Sequence, residues 1–299
     1  LTKKEMKDYV MFSFELYKNN PYWIPPIIAE ELETFDKTKN PALQTAEAHF
    51  YLAYKNNKIV GKIAAIINWE EVNLLGKRKA RFGWFDAIDD VEVTKALLNK
   101  VEELGRKHKM DHMEGPMGFS NLDKVGILSE GFDQMGNMIT WYSLPYYITH
   151  FEQLGFTKEK EYIESDFSFN NINPEPFQKA SALIKKRYEL RSLNFTKTKD
   201  IMPYVDKMFD LFNETYARLQ SFVPINDIQK EYFKKKYIGF INPEFIKFIV
   251  DKNDNMIAFA IVMPGFAQAL KKANGKLFPF GFYHLLQARK HSKEVVFYL

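Results

Sequence analysis

Met6, Tyr9, Val10, Phe12, Phe14 and Tyr17 recur at helical spacing over residues 4–18, and Asn19-Asn20-Pro21 ends the run. Trp23-Ile24-Pro25-Pro26 is expected to be extended, because each proline disfavours helix in the residue before it. A short acidic helix is predicted over 28–35. Residues 50–54 and 59–67 then read as paired strands around a turn at Asn56-Asn57, and 81–88 as a third strand. Asp89-Asp90 offers an N-cap to a helix over 91–107, in which Val93, Ala96, Leu97, Val101 and Leu104 repeat on one face. A strand at 111–119 running into a loop, a helix ending near Gly155, and a strand over 162–169 complete the first half.

After Asn170-Asn171-Ile172-Asn173-Pro174 the pattern starts again. The predicted elements are a strand at 189–195, amphipathic helices at 201–216 and 227–238, a hairpin of 245–250 with 256–263, and an apolar strand at 295–299. Helix, helix, hairpin and strand therefore occur twice, although no stretch of sequence repeats. The expected units are 1–172 and 173–299, the second incomplete at its C-terminal end. A chain opening on Leu1 is expected to be a fragment or a processed form.

Composition narrows this picture. Of 299 residues, 46% are hydrophobic and 27% charged, the balance of a soluble globular protein. Aromatics reach 16%, which predicts a rich core or a sizeable cleft. The net charge of +4 is spread among acidic neighbours, and Lys234-Lys235-Lys236 follows Glu231 on a predicted solvated helix face. No basic stripe with interleaved aromatics marks a nucleic-acid surface, so none is expected as partner. The absence of cysteine excludes disulfides, thiolate metal sites and cysteine nucleophiles. No apolar run reaches the roughly 18 residues of a membrane span, and the charged start is unlike a signal peptide, so a cytoplasmic location is expected. His108 and His112 straddle a helix end without a carboxylate at metalloprotease spacing, so no metal is expected.

The order of elements resembles the GNAT (acyl-CoA N-acyltransferase) fold. There a strand and two helices precede an antiparallel hairpin, a fourth strand, a long helix, a fifth strand and a closing helix and strand. Pro21-Tyr22-Trp23-Ile24-Pro25-Pro26, Val60-Gly61-Lys62-Ile63-Ala64-Ala65, Glu114-Gly115-Pro116-Met117-Gly118-Phe119-Ser120 and Gly126-Ile127-Leu128-Ser129-Glu130-Gly131-Phe132-Asp133 are similar to motifs of bacterial GNAT-related proteins. The resemblance implies an α/β chain (α+β type) of two tandem GNAT-like domains. Each would be a mixed, largely antiparallel sheet flanked by helices.

It also implies transfer of an acyl group from acyl-CoA or acetyl-CoA, as co-substrate, to a small-molecule or peptide amine. The fold's cofactor loop is glycine-rich and offers backbone amides at a helix N-terminus to the pyrophosphate. Its fourth and fifth strands splay, freeing an N–H for the thioester carbonyl. The first unit instead has Asp86-Ala87-Ile88-Asp89-Asp90-Val91-Glu92-Val93 at that place, without glycine and with four acids, so it is not expected to hold coenzyme A. In the second unit Phe297, Tyr298 and Leu299 stand where the cofactor would begin to be gripped. Acyl transfer needs a base for the amine proton and an acid for the leaving thiolate. Glu114 is the candidate base at a strand end. Tyr142 and Tyr147 are candidate acids, and Ser120, Asn121, Glu130 and Tyr146 candidate substrate contacts. The competing reading is a non-catalytic binding protein on a degenerate scaffold of this type.

Overall fold

The computed structural model describes residues 1–120, 122–219, 222–238 and 241–297. Helix α1 (Lys3–Leu16) begins in a capping box, Thr2 accepting from the Glu5 amide while Glu5 accepts from the Thr2 amide. Short helices α2 (Ile28–Thr34) and α3 (Ala42–Thr45) lead to the hairpin of β1 (Ala46–Lys55) and β2 (Lys58–Asn68). Its two turn residues, Asn56 and Asn57, both have positive φ (49° and 64°), which suits asparagine and matches the strand twist. Helix α4 (Trp69–Leu75) and β3 (Lys79–Ala87) follow, then α5 (Val91–Lys107), β4 (His112–Glu114) and α6 (Tyr146–Gln153).

The first sheet has the order β1-β2-β3-β4, with only β3 and β4 parallel. That pairing covers Lys79–Arg81 against His112–Glu114 and then stops. The strand expected over 111–119 is thus cut short, because Pro116 has no N–H with which to continue a ladder. Residues 115–118 instead lie hard against β3. A Cβ on Gly83 would sit 2.2 Å from the Met117 carbonyl oxygen, and Met117 donates its N–H to Phe82 at 2.7 Å. Val93, Leu97, Val101 and Leu104 of α5 cover one face of this sheet as their spacing predicts, but Leu98 joins them where Ala96 was expected, and Ala96 is exposed.

The second half contains α7 (Glu175–Arg187), β5 (Arg191–Leu193), α8 (Thr198–Tyr216), α9 (Asp227–Phe233), β6 (Ile246–Val250), β7 (Met256–Pro264), α10 (Ala267–Ala273), α11 (Gly281–His291) and β8 (Val295–Phe297). Its sheet runs β5-β6-β7-β8, antiparallel throughout. The second half therefore follows the GNAT order from first strand to fourth, and the first half follows it from the two helices to the fifth strand and its helix. The strand expected over 162–169 does not form: this stretch is exposed and non-repetitive. Helix α7 escapes sequence reading because it buries no residue and so presents no core stripe. Helices α10 and α11, between the third and fourth strands of the second sheet, were likewise not expected.

The halves touch at specific points. Asn226 Nδ2 donates to Glu70 Oε1 at 2.9 Å, and the Ile28 amide donates to the Gly275 carbonyl at 2.9 Å. Gly275 has φ 79°, and a Cβ there would lie 2.6 Å from the Phe14 ring. Leu122, Met138 and Ile139, from the long loop before α6, pack into the second core.

Candidate functional site

Asp86 stands one residue before the end of β3, directly across from Lys62 on β2. Above this pair lies α1, on which Tyr9 and Ser13 are spaced four apart and share one face with Tyr17, the C-cap residue four further on. Ser13 donates to Asp86 Oδ2 at 2.6 Å and Tyr17 to Oδ1 at 2.8 Å. The Lys62 ammonium is 3.5 Å from Oδ2 and lies over the Tyr9 ring, 4.9 Å from its centroid. From α6, the Tyr147 hydroxyl reaches Asp86 Oδ1 at 3.3 Å. The side chains of Lys62 and Asp86 are only 5% and 13% exposed, so this carboxylate is satisfied by protein groups rather than water. Trp23 stacks on Tyr17 at 5.2 Å and Tyr142 meets it edge-on at 6.1 Å, closing the cluster from outside.

Tyr147 also ties down the strand end. Its oxygen accepts the Ala87 N–H at 3.0 Å, and its proton has two acceptors at 3.3 Å, Asp86 and the Ala87 carbonyl. The Tyr146 hydroxyl donates to that same carbonyl at 2.7 Å. Burial, and then the Asp86 carboxylate, push the phenols of Tyr9, Tyr17 and Tyr147 well above the ordinary tyrosine range. Burial, followed by Asp89 and Asp86, raises Tyr146 as well. All four stay protonated, and Tyr17, Tyr146 and Tyr147 act as donors. The Tyr9 hydroxyl is fully buried and has no hydrogen-bond partner among the described residues.

A second buried set occupies the start of β3. Lys79 lies 2.5 Å from Glu114 and 3.0 Å from Glu71, while Arg81 Nε donates to Glu71 at 2.8 Å and its Nη1 to the Gly118 carbonyl at 3.2 Å. Glu71 is presented by α4, whose first turn is capped by Asn68. Glu114 is therefore engaged by a buried ammonium, at the opposite end of β3 from Asp86.

The remaining predicted residues are dispersed. Ser120 lines a cavity of about 50 Å³ between the halves, together with Asn40 and Asp123 on one side and Gln229, Tyr232 and Lys236 on the other. Asp123, raised by burial, accepts from the Ser120 amide at 2.9 Å. Tyr142 donates to the Phe132 carbonyl at 2.8 Å, and Glu130 is exposed. Phe297 is 58% exposed at the end of β8 and faces the Phe167 ring at 6.4 Å. Asn121, Tyr298 and Leu299 lie outside the described residues. The structure thus brings Tyr146 and Tyr147 together with Asp86, and Tyr142 to its rim. Sequence reading missed Asp86, Lys62, Ser13, Tyr17 and Tyr9 as a set. The four-residue spacing on α1 was the available signal.

The first half does not fit coenzyme A. The Ala87 N–H is taken by Tyr147, and the start of α5 carries Asp89, Asp90 and Glu92, with Asp90 accepting from the Glu92 amide at 3.0 Å. A diphosphate would meet acids there instead of free amides.

No protein-family model matches the chain. It is 28% identical over 293 residues to Protein YghO of Escherichia coli (strain K12), covering 98% of this chain and 74% of that protein. It is 24% identical over 288 residues to the Bacterial ceramide synthase of Caulobacter vibrioides (strain NA1000 / CB15N), covering 95% of this chain and 74% of that one. Among solved structures it is similar to a tandem GNAT protein from the clavulanic acid biosynthesis pathway (without AcCoA), at 12% identity and TM-score 0.46, over 87% of this chain and 71% of that chain. A probable acetyltransferase is similar at 12% identity and TM-score 0.32, over 56% of this chain and 95% of that chain. The two sequence relatives match this chain along nearly all its length.

Proposed function

We propose that this protein is an N-acyltransferase that moves an acyl group from an acyl-CoA to an amine, and that the amine belongs to a long-chain amino alcohol. The observation that carries this reading is the similarity to the Caulobacter ceramide synthase across 95% of the chain, since a ceramide is the N-acyl product of such an amine. In this reading the chain divides into units 1–172 and 173–299. The second unit holds the acyl-CoA from the β8 end, at Phe297, and the acceptor amine enters beside Tyr146, whose hydroxyl meets the Ala87 carbonyl next to Tyr147. The amine gives up one proton and the departing thiolate takes one, so the reaction as a whole consumes none. Tyr147 carries the mobile proton. Asp86, already accepting from Ser13 and Tyr17 and paired with Lys62, is a positioning residue that fixes the Tyr147 hydroxyl.

The test is acyl transfer from long-chain acyl-CoAs to sphinganine, followed by mass spectrometry, together with calorimetric titration of the full-length protein with acetyl-CoA and longer acyl-CoAs. Tyr147→Phe is expected to lower kcat by about 100-fold. Asp86→Asn is expected to lower it less and to shift the pH profile. Failure to bind any acyl-CoA would overturn the transferase reading. It would favour a binding protein that kept the scaffold, a reading supported by the occupied Ala87 N–H and the acidic start of α5.

A further inference from the structure

Residues 265–293 carry Lys271, Lys272, Lys276, Arg289, Lys290 and Lys293 and contain neither Asp nor Glu. The middle of this stretch exposes large apolar side chains one after another. Phe278 is 77% exposed, Phe280 70%, Tyr283 53%, Leu286 46% and Phe282 42%. Single exposed hydrophobics are ordinary on protein surfaces, but contiguous groups mark contact sites. These are contiguous: the rings of Phe278 and Phe282 are 5.6 Å apart. Along α11, Phe282, Tyr283, Leu286, Arg289 and Lys290 follow the three- and four-residue spacing of one helix face, aromatic at its start and basic at its end. The other face of α11 is already used. His284, Ala288 and His291 line a cavity of about 330 Å³ towards Gln268, Ala269 and Lys272 of α10. Helix α11 packs against α10, and its aromatic face is left uncovered among the described residues.

We propose that α11 and the loop before it dock on an anionic lipid bilayer, with Phe278, Phe280 and Phe282 entering the boundary between headgroups and acyl chains. Exposed aromatics beside an excess of lysines are what an interfacial segment needs: apolar area to bury and cations to meet acidic headgroups. A second copy of the chain fits less well, because a symmetric contact would set the same basic residues against themselves. No described helix is long and apolar enough to cross a membrane, so the attachment is to one surface. This inference stands on surface chemistry alone and does not depend on the transferase reading.

Flotation of the full-length protein with vesicles tests it. Strong association is expected with phosphatidylcholine vesicles containing phosphatidylglycerol, weakening with added salt and with pure phosphatidylcholine. The double substitution Phe278→Ser, Phe280→Ser should weaken partitioning roughly 100-fold, because each ring loses its burial. Its melting temperature should be unchanged, both positions being exposed in the free protein. Lys276→Glu with Lys290→Glu should reduce binding to the anionic vesicles only. No association with anionic vesicles, or undiminished association of the serine variant, would overturn the proposal. So would a dimer in light scattering that the serine pair converts to monomer, which would give the patch to a second copy.

Discussion

The two halves carry similar four-stranded sheets but are held together differently. Of the eleven buried polar or charged side chains among the described residues, ten lie between Ser13 and His150, and Gln229 alone lies in the second half. The second core is built from Phe195, Phe209, Phe212, Phe222, Phe248 and aliphatic neighbours. The first half adds to its apolar layers two ionic groupings, one at each end of β3. Hydrophobic burial is indifferent to proton concentration, whereas buried ion pairs depend on every partner being present and correctly protonated. The contrast teaches that the first half is the part whose integrity responds to pH and to single charge deletions, and these are also the residues nearest the candidate chemistry.

The comparison is broken most directly by paired truncations. Arg81→Met leaves Glu71 without its guanidinium partner and is expected to cost about 3–5 kcal/mol in urea unfolding. Phe248→Ala in the second core should cost a similar ~3–5 kcal/mol, but by creating a cavity. The two should separate on neutralising Glu71: adding Glu71→Gln should recover part of the cost of Arg81→Met and none of that of Phe248→Ala. If both respond alike, the distinction between the halves fails.

Alkaline titration sharpens it next. The folded-state pKa values of Tyr9, Tyr17 and Tyr147 are raised above the ordinary 10.0. A raised value means that their stabilising contribution is complete below pH about 10 and is lost as pH climbs further. Phenolate absorbance should therefore show these tyrosines ionising only together with unfolding. On the acid side, hydrogen bonds led by that from His49 lower Glu47 from 4.5 to about 2. Its contribution is present above pH about 4.5 and fades as pH falls towards about 2. Glu47→Gln should flatten that part of the acid limb. The smallest effect is expected at Tyr9→Phe, which removes an unpartnered buried hydroxyl and should raise stability by about 1 kcal/mol in the same urea assay.

Much of this architecture could be read along the chain because it is local. Helix α5 begins and ends where Asp90 and the apolar repeat place it, and both hairpins follow from their apolar runs and the Asn-containing turns between them. The candidate site could not be read in this way. Tyr17 and Asp86 are 69 residues apart and Tyr147 and Asp86 are 61 apart, so only the tertiary fold joins them. Glu114 looked available because it ends a strand beside a loop. Nothing in its neighbourhood announces Lys79, 35 residues earlier, as its partner. Helices α7 and α11 leave much of their apolar surface exposed, so a search for core-facing stripes passes over them.

The tight seat of Gly275 gives the molecule a mechanical linkage. The turn after α10 is locked between Phe14 and Ile28 with no room for a side chain, and its carbonyl is bonded to the Ile28 amide. Phe14 is the neighbour of Ser13 on α1, which grips Asp86. A side chain of any size at Gly275 would have to push Phe14 or Ile28 aside, and would thereby loosen the contact that joins the turn after α10 to α1 and α2.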